Sequence, residues 1–105
     1  MITVKKFDII REDIPDDDPD TSYLDQEGFE DRKKSYEQGC FNFCGVRAKI
    51  RLEIPNGESK ILQSIESPGL WGIEDDSGED YFNEVFEEEK ETLIQMLETM
   101  GMQVE

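Results

Sequence analysis

Alternation of apolar and charged residues in the middle of the chain most constrains how it can fold. Every second residue from position 46 to 54 is apolar, and the positions between them are charged. A period of two is typical of a strand with one buried face. Asn56 and Gly57 follow as a tight-turn dipeptide, and the apolar-rich residues 60–65 come next. The pattern predicts an antiparallel hairpin with its turn at Asn56 and Gly57.

A second pattern predicts a long amphipathic helix over residues 79–100. Its apolar residues recur at helical spacing and make one stripe: Phe82, Val85, Phe86, Leu93, Met96, Leu97 and Met100. Ser77 and Asp80 have the spacing of a capping box at the start of this helix. Gly101 suits the position that follows its end.

The remaining segments complete the predicted architecture. Residues 2–10 favour a first strand, residues 12–22 an acidic loop with two prolines, and residues 27–37 a short helix. Residues 70–73 are predicted to be an extended, apolar entry to the last helix. A chain of 105 residues suits one domain. We therefore predict a single α+β domain over residues 1–105, a three-stranded antiparallel β-sheet with a C-terminal amphipathic helix packed on one face.

The net charge restricts the classes of partner. The chain has 27 acidic and 11 basic residues, which gives a net charge of −16. A magnitude of roughly 2–8 is enough to keep a small domain soluble, so the excess indicates a role for the negative surface. Such a charge repels nucleic acids and anionic membranes and attracts basic protein surfaces. We expect a basic protein partner, no direct binding of nucleic acid and no membrane association.

The sequence also gives an expectation for location. Residues 1–6 contain no apolar segment of the kind found in secretory signals. No apolar run approaches the ~18 residues of a membrane span. The sequence therefore predicts a cytoplasmic protein.

This chain lacks the residues that most catalytic and metal-binding sites require. There is no histidine, the commonest general base and metal ligand. Cys40 and Cys44 have no further cysteine or histidine to complete a zinc site. Asp16 begins a spacing like that of a calcium-binding loop, but Thr21 stands where that loop requires glycine. We predict no catalytic residue, no cofactor and no metal site, and a protein that is not an enzyme.

Acidic residues dominate the start of the C-terminal helix and the loop before it. Ten acids lie between positions 74 and 91, with Lys90 as the one basic residue among them. The helix thus gives up the stabilisation that oppositely charged pairs four residues apart would provide. Such residues are separated by about 6 Å of helical rise, comparable with the distance between phosphates along a DNA strand. The predicted partner-binding residues are Glu74, Asp75, Asp76, Asp80, Glu84, Glu87, Glu88 and Glu91.

Three basic residues form an opposite feature on the predicted central strand. Arg47, Lys49 and Arg51 share its outer face because they are two positions apart. We expect them to pair with the chain's own acidic loop, through residues 16–20. Binding of an acidic partner is the alternative, which the overall negative charge disfavours.

Two segments near the C-terminus carry a resemblance to a known group of proteins. Residues 65–74 (IESPGLWGIE) and 80–85 (DYFNEV), and more loosely residues 20–24, resemble small uncharacterised proteins of phages and bacterial mobile elements. The resemblance implies a genetic setting, and because the family has no settled activity it transfers no catalytic residues to this chain. Small acidic proteins of that setting are often similar to DNA mimics, the anti-restriction and anti-CRISPR inhibitors that occupy a basic nucleic-acid channel. A phage-encoded protein would act in the host cell cytoplasm.

Two functions are compatible with these features. The first is inhibition or regulation of a nucleic-acid-binding protein by DNA mimicry. The alternative is an acidic accessory protein from a phage or mobile element without inhibitory action. Salt-sensitive binding to basic DNA-handling proteins, competed by DNA, distinguishes the first from the second.

Overall fold

Six strands and two α-helices make up the part of the chain that the computed structural model describes, residues 2–105. In chain order the elements are β1 (Thr3–Val4), β2 (Ile10–Pro15), α1 (Glu30–Glu37), β3 (Phe43–Asn56), β4 (Ser59–Glu66), β5 (Leu70–Glu74), α2 (Glu79–Thr99) and β6 (Gln103–Val104). Short 3₁₀ turns occupy Lys6–Asp8 and Ser22–Asp25.

The main sheet is built around β3, with which three strands pair antiparallel. β2 lies along one edge of β3, beside residues 44–49. On the other edge β4 pairs with residues 49–56, and β5 continues that line beside residues 43–46. The predicted hairpin is confirmed, since Asn56 pairs with Ser59 across a turn in which Gly57 has a φ of 64°. The sheet nevertheless has four strands, because the segment predicted as an entry to the helix forms β5.

The N-terminal region differs most from its prediction. The strand predicted over residues 2–10 is divided into β1 and β2 by the turn at Lys6–Asp8. β1 leaves the main sheet and pairs parallel with β6 near the C-terminus. β2 continues to Pro15, inside the segment predicted as an acidic loop, because its backbone pairs with β3 and its Glu12 lies opposite Arg47.

α2 packs its apolar stripe against one face of the sheet. Of the predicted stripe, Phe82, Val85, Leu93 and Leu97 are buried, whereas Phe86 and Met96 are half-buried and Met100 is exposed. Ile94 is a further buried residue that the predicted stripe omitted. The facing residues of the sheet are Val46, Ala48, Ile50, Leu52 and Ile73. Because the Phe86 ring is half-buried, its truncation should cost less than the ~3–5 kcal/mol of a fully buried Phe.

The start of α2 also differs from its prediction. No side chain caps the helix, and the residue before it is Gly78 with a φ of 94°. The Ser77 hydroxyl donates instead to the carbonyl oxygen of Glu74, at 2.6 Å. The predicted capping box is therefore wrong, whereas Gly101, with a φ of 91°, ends the helix as predicted.

An aromatic cluster fixes α1 to the end of the sheet. Phe41 and Phe43 are buried together with Leu24, and the rings of Tyr23 and Tyr36 pack against them. Helix α1 itself has no buried residue. Its position therefore depends on this cluster.

Gly45 of β3 allows the Trp71 side chain to approach the backbone closely. The Trp71 ring lies over it, and a Cβ at Gly45 would come closer to the ring than van der Waals contact allows. Gly45→Ala should therefore displace Trp71 and lower the free energy of unfolding by about 1–3 kcal/mol. Urea denaturation measures the loss, and the emission of the single tryptophan reports the displacement. An unchanged midpoint together with unchanged emission would contradict this packing.

Candidate functional site

Five of the predicted site residues share the outward face of α2, and we call them the acidic stripe: Asp80, Glu84, Glu87, Glu88 and Glu91. All five are exposed. At 3.6 residues per turn they fall within about 100° of the helix circumference, opposite Phe82, Leu93 and Leu97. From Asp80 to Glu91 the stripe is about 16 Å long.

No cation neutralises the acidic stripe within the described residues. The ion pairs among residues 2–105 all involve other carboxylates. Lys90 is the one basic residue of α2. It lies on a different side of the helix from the acidic stripe and is half-buried. The negative charge of the stripe therefore faces solvent without an internal partner.

The three predicted site residues that precede α2 make contacts within the protein. The Arg32 guanidinium of α1 donates to Glu74 and, at 2.9 Å, to Asp76. Asp75 accepts the backbone N–H of Asn42 at 3.0 Å. The hydrogen bond from Arg32 holds the pKa of Asp76 below its ordinary value. The structure thus divides the predicted set into five solvent-facing carboxylates on α2 and three that hold the loop.

Glu74 also affects a neighbouring phenol. Burial first, and then a hydrogen bond to Glu74, raise the pKa of Tyr23 to about 12. Arg32 was not identified from the sequence because it lies 42 positions before Glu74. Only the folded chain brings the two residues together.

Two further acids of α2 have structural contacts. Arg11 of β2 donates to Glu79 at 2.9 Å and to Asn83 at the same distance. Glu89 points toward the sheet, where it accepts the Ser67 hydroxyl at 2.8 Å and the Gly69 backbone N–H at 2.7 Å. Together these contacts fasten β2 and the β4–β5 connection to the helix. The acids of α2 that face the sheet edges are thus used for folding.

Two of the basic residues of β3 pair with Glu12, at the start of the segment predicted as the acidic loop, and not with residues 16–20 as expected. The Glu12 carboxylate accepts from Arg47, and Lys49 lies 3.1 Å from its other oxygen. Asp16 of the loop accepts backbone N–H groups instead, from Asp18 at 3.1 Å and Gly72 at 2.9 Å. Since Glu12 engages two of the three cations, little positive charge remains on this face for an acidic partner.

The Glu12 ion pairs predict a pH-dependent stability. Arg47 foremost, and Lys49, hold the pKa of Glu12 below its ordinary value. A lowered folded-state pKa contributes stability above the ordinary pKa, and that stability is lost as the pH falls through the folded-state value. Glu12→Gln should therefore cost about 1 kcal/mol at pH 7, and the variant and wild type should converge in acid.

Urea denaturation at pH 7 and at pH 3 measures this difference. Glu53→Gln is the matched control, since its ion pair with Lys60 is far more exposed, at 61% and 67% of the two side chains. The control should change stability by a few tenths of a kcal/mol. A Glu12→Gln deficit of equal size at both pH values would contradict the assigned pairing.

Two other kinds of feature are absent from the described residues. No three Cys, Asp or Glu side chains among residues 2–105 are grouped as a metal site requires. Within the same range, none of the helices combines the length and apolar character needed to cross a bilayer. Cys40 is exposed and Cys44 is half-buried, both as thiols.

Comparisons with protein-family models, with curated proteins and with solved structures give no match.

Proposed function

We propose that this protein binds a basic surface of a nucleic-acid-binding protein through the acidic stripe, whose carboxylates stand in for DNA phosphates. The observation that carries the proposal is that five exposed carboxylates share one face of α2 with no ion pair among the described residues. Carboxylates near the sheet and loops bind internal arginines or backbone donors instead.

The spacing of the stripe supports mimicry of phosphates. Most of its successive members are three or four positions apart, a rise of about 4.5–6 Å, whereas Glu87 and Glu88 are adjacent. Phosphates along one DNA strand rise by about 3.4 Å per nucleotide, and helical winding lengthens their separation. At about 16 Å the stripe has the rise of about five nucleotides. Its length suits a channel or groove that contacts a short stretch of one strand.

The energetics of the isolated helix support a role for the stripe beyond solubility. Glu84 and Glu88, and likewise Glu87 and Glu91, are four residues apart and carry like charge. Each such pair costs about 0.2–0.5 kcal/mol, and a lysine in either member would reverse the sign. A basic partner would relieve this repulsion on binding.

The same charge makes direct binding to DNA unfavourable. We place the function in the cytoplasm, and in the host cytoplasm if a phage encodes the protein, following the resemblance described above. In that role the protein competes with nucleic acid for its target and has no catalytic activity of its own.

Capture and competition test the proposal. Immobilised protein is exposed to a bacterial lysate fraction enriched in heparin-binding proteins, and bound proteins are eluted with duplex DNA or with salt. We expect a DNA-binding protein to be retained at low salt and released by micromolar duplex DNA. Retained proteins that DNA does not release would favour an acidic accessory role without mimicry. No retention at low salt would remove the proposal.

A further inference from the structure

A groove with exposed aromatic walls lies next to the acidic stripe. It has a volume of about 340 Å³ and follows the outer edge of β5, where β5 has no strand partner among the described residues. Leu70, Trp71 and Tyr81 line it and are 41%, 42% and 39% exposed. Exposed Trp and Tyr side chains at a groove are typical of the residues that dominate binding energy at protein interfaces.

Trp71 and Tyr81 have fixed positions at the groove. The Trp71 ring packs over Gly45, and its Nε1 donates to the Pro68 carbonyl at 3.0 Å. Tyr81 projects from the first turns of α2, three residues before Glu84 and seven before Glu88. Residues three apart are neighbours on one side of a helix, and Glu88 lies about one turn beyond Glu84 on the same side. Tyr81 therefore borders the stripe on the side of β5.

Aromatic rings beside carboxylates are suited to a guanidinium group. The plane of arginine stacks on a ring while its N–H groups bond carboxylates, whereas lysine has a compact, strongly hydrated charge. The protein already contains this arrangement twice. Arg32 lies 3.8 Å from the Phe41 ring centroid while it bonds Asp76, and Arg11 lies 5.5 Å from that of Phe82 while it bonds Glu79.

We propose that the groove receives an arginine side chain of the basic partner, which stacks on Tyr81 and pairs with Glu84, one turn further along α2. Trp71 lines the groove from β5, with its ring on the face of the sheet away from α2. This inference rests on the proposed function, because it assumes that the partner approaches the acidic stripe. The arginine site adds that the protein distinguishes arginine from lysine on its partner, and so recognises more than positive charge.

The test compares nonaarginine and nonalysine peptides, which carry equal charge. Their affinities for the protein are measured by calorimetry, and the emission of Trp71, the single tryptophan, reports occupation of the groove. The wild type should bind nonaarginine more tightly than nonalysine. Tyr81→Leu should reduce this preference roughly two- to fivefold, the effect of one exposed cation–π contact. Tyr81→Phe should retain it, because the ring remains.

Phe7→Leu is the matched control, since Phe7 is 92% exposed and lies outside the groove. This control should keep the full preference for arginine. An equal preference in wild type and Tyr81→Leu, or an unchanged Trp71 emission with nonaarginine, would overturn the arginine site while leaving the proposed function intact. Failure of both peptides to bind the wild type would overturn the proposed function, and the arginine site with it.

Discussion

Leu97→Ala should lower the free energy of unfolding by about 2–5 kcal/mol, among the largest effects of a single substitution in this chain. Leu97 is fully buried in the cluster that joins α2 to Ile50 and Leu52 of β3. Truncation removes the burial of its side chain and leaves a cavity that a packed core closes only in part. Urea denaturation followed by far-ultraviolet circular dichroism measures the loss.

Met100→Ala is the control for this prediction, because Met100 directly follows α2 and is 56% exposed. It should change stability by no more than about 0.5 kcal/mol. Equal effects of the two substitutions would mean that α2 does not use this face to pack on the sheet.

Reversal of three charges of the acidic stripe should give the largest effect on binding. When Glu84, Glu88 and Glu91 are changed together to Lys, the attraction to a basic partner becomes repulsion. At about 1 kcal/mol or more per close pair of charges, the affinity should fall about a hundredfold. Folding should survive, because all three side chains are exposed and their mutual repulsion is removed.

The control variant must change the net charge by the same amount, at acidic residues that make no contact within the protein. Residues 16–20 are unsuitable, because Asp16 and Asp20 accept backbone hydrogen bonds that hold the loop. Glu27, Asp31 and Glu58 are exposed and lie outside α2. Their combined change to Lys should weaken binding severalfold, through long-range charge alone. Equal losses from the two triple variants would mean that total charge, and not the stripe, determines binding.

The sequence predicted local features better than features that depend on contacts between distant segments. The hairpin of β3 and β4 and the helix α2 were predicted because their patterns are local. A period of two, an Asn-Gly turn and a helical apolar stripe each need only neighbouring residues. The fourth strand was missed because β5 is short and Gly72 interrupts it, so its assignment depends on pairing with β3.

Contacts between distant segments explain the other differences. Glu12 was predicted to be in a loop from its acidic surroundings, but pairing with Arg47 places it in a strand. The sequence predicted one continuous row of partner-binding acids between positions 74 and 91. In the structure, Arg32 binds two acids at the start of that row, Glu74 and Asp76. Charge patterning thus identified where acids concentrate. Only the fold distinguishes the carboxylates that stabilise the protein from those that face solvent.

Displacement of DNA tests the central claim most directly. Fluorescence anisotropy follows a labelled duplex bound to the captured partner. Either the wild-type protein or the variant with Glu84, Glu88 and Glu91 changed to Lys is then added. Mimicry predicts that the wild type releases the duplex fully as it saturates the partner, whereas the variant needs about a hundredfold more protein. A complex in which the wild-type protein and the duplex remain bound to the partner together would contradict the claim.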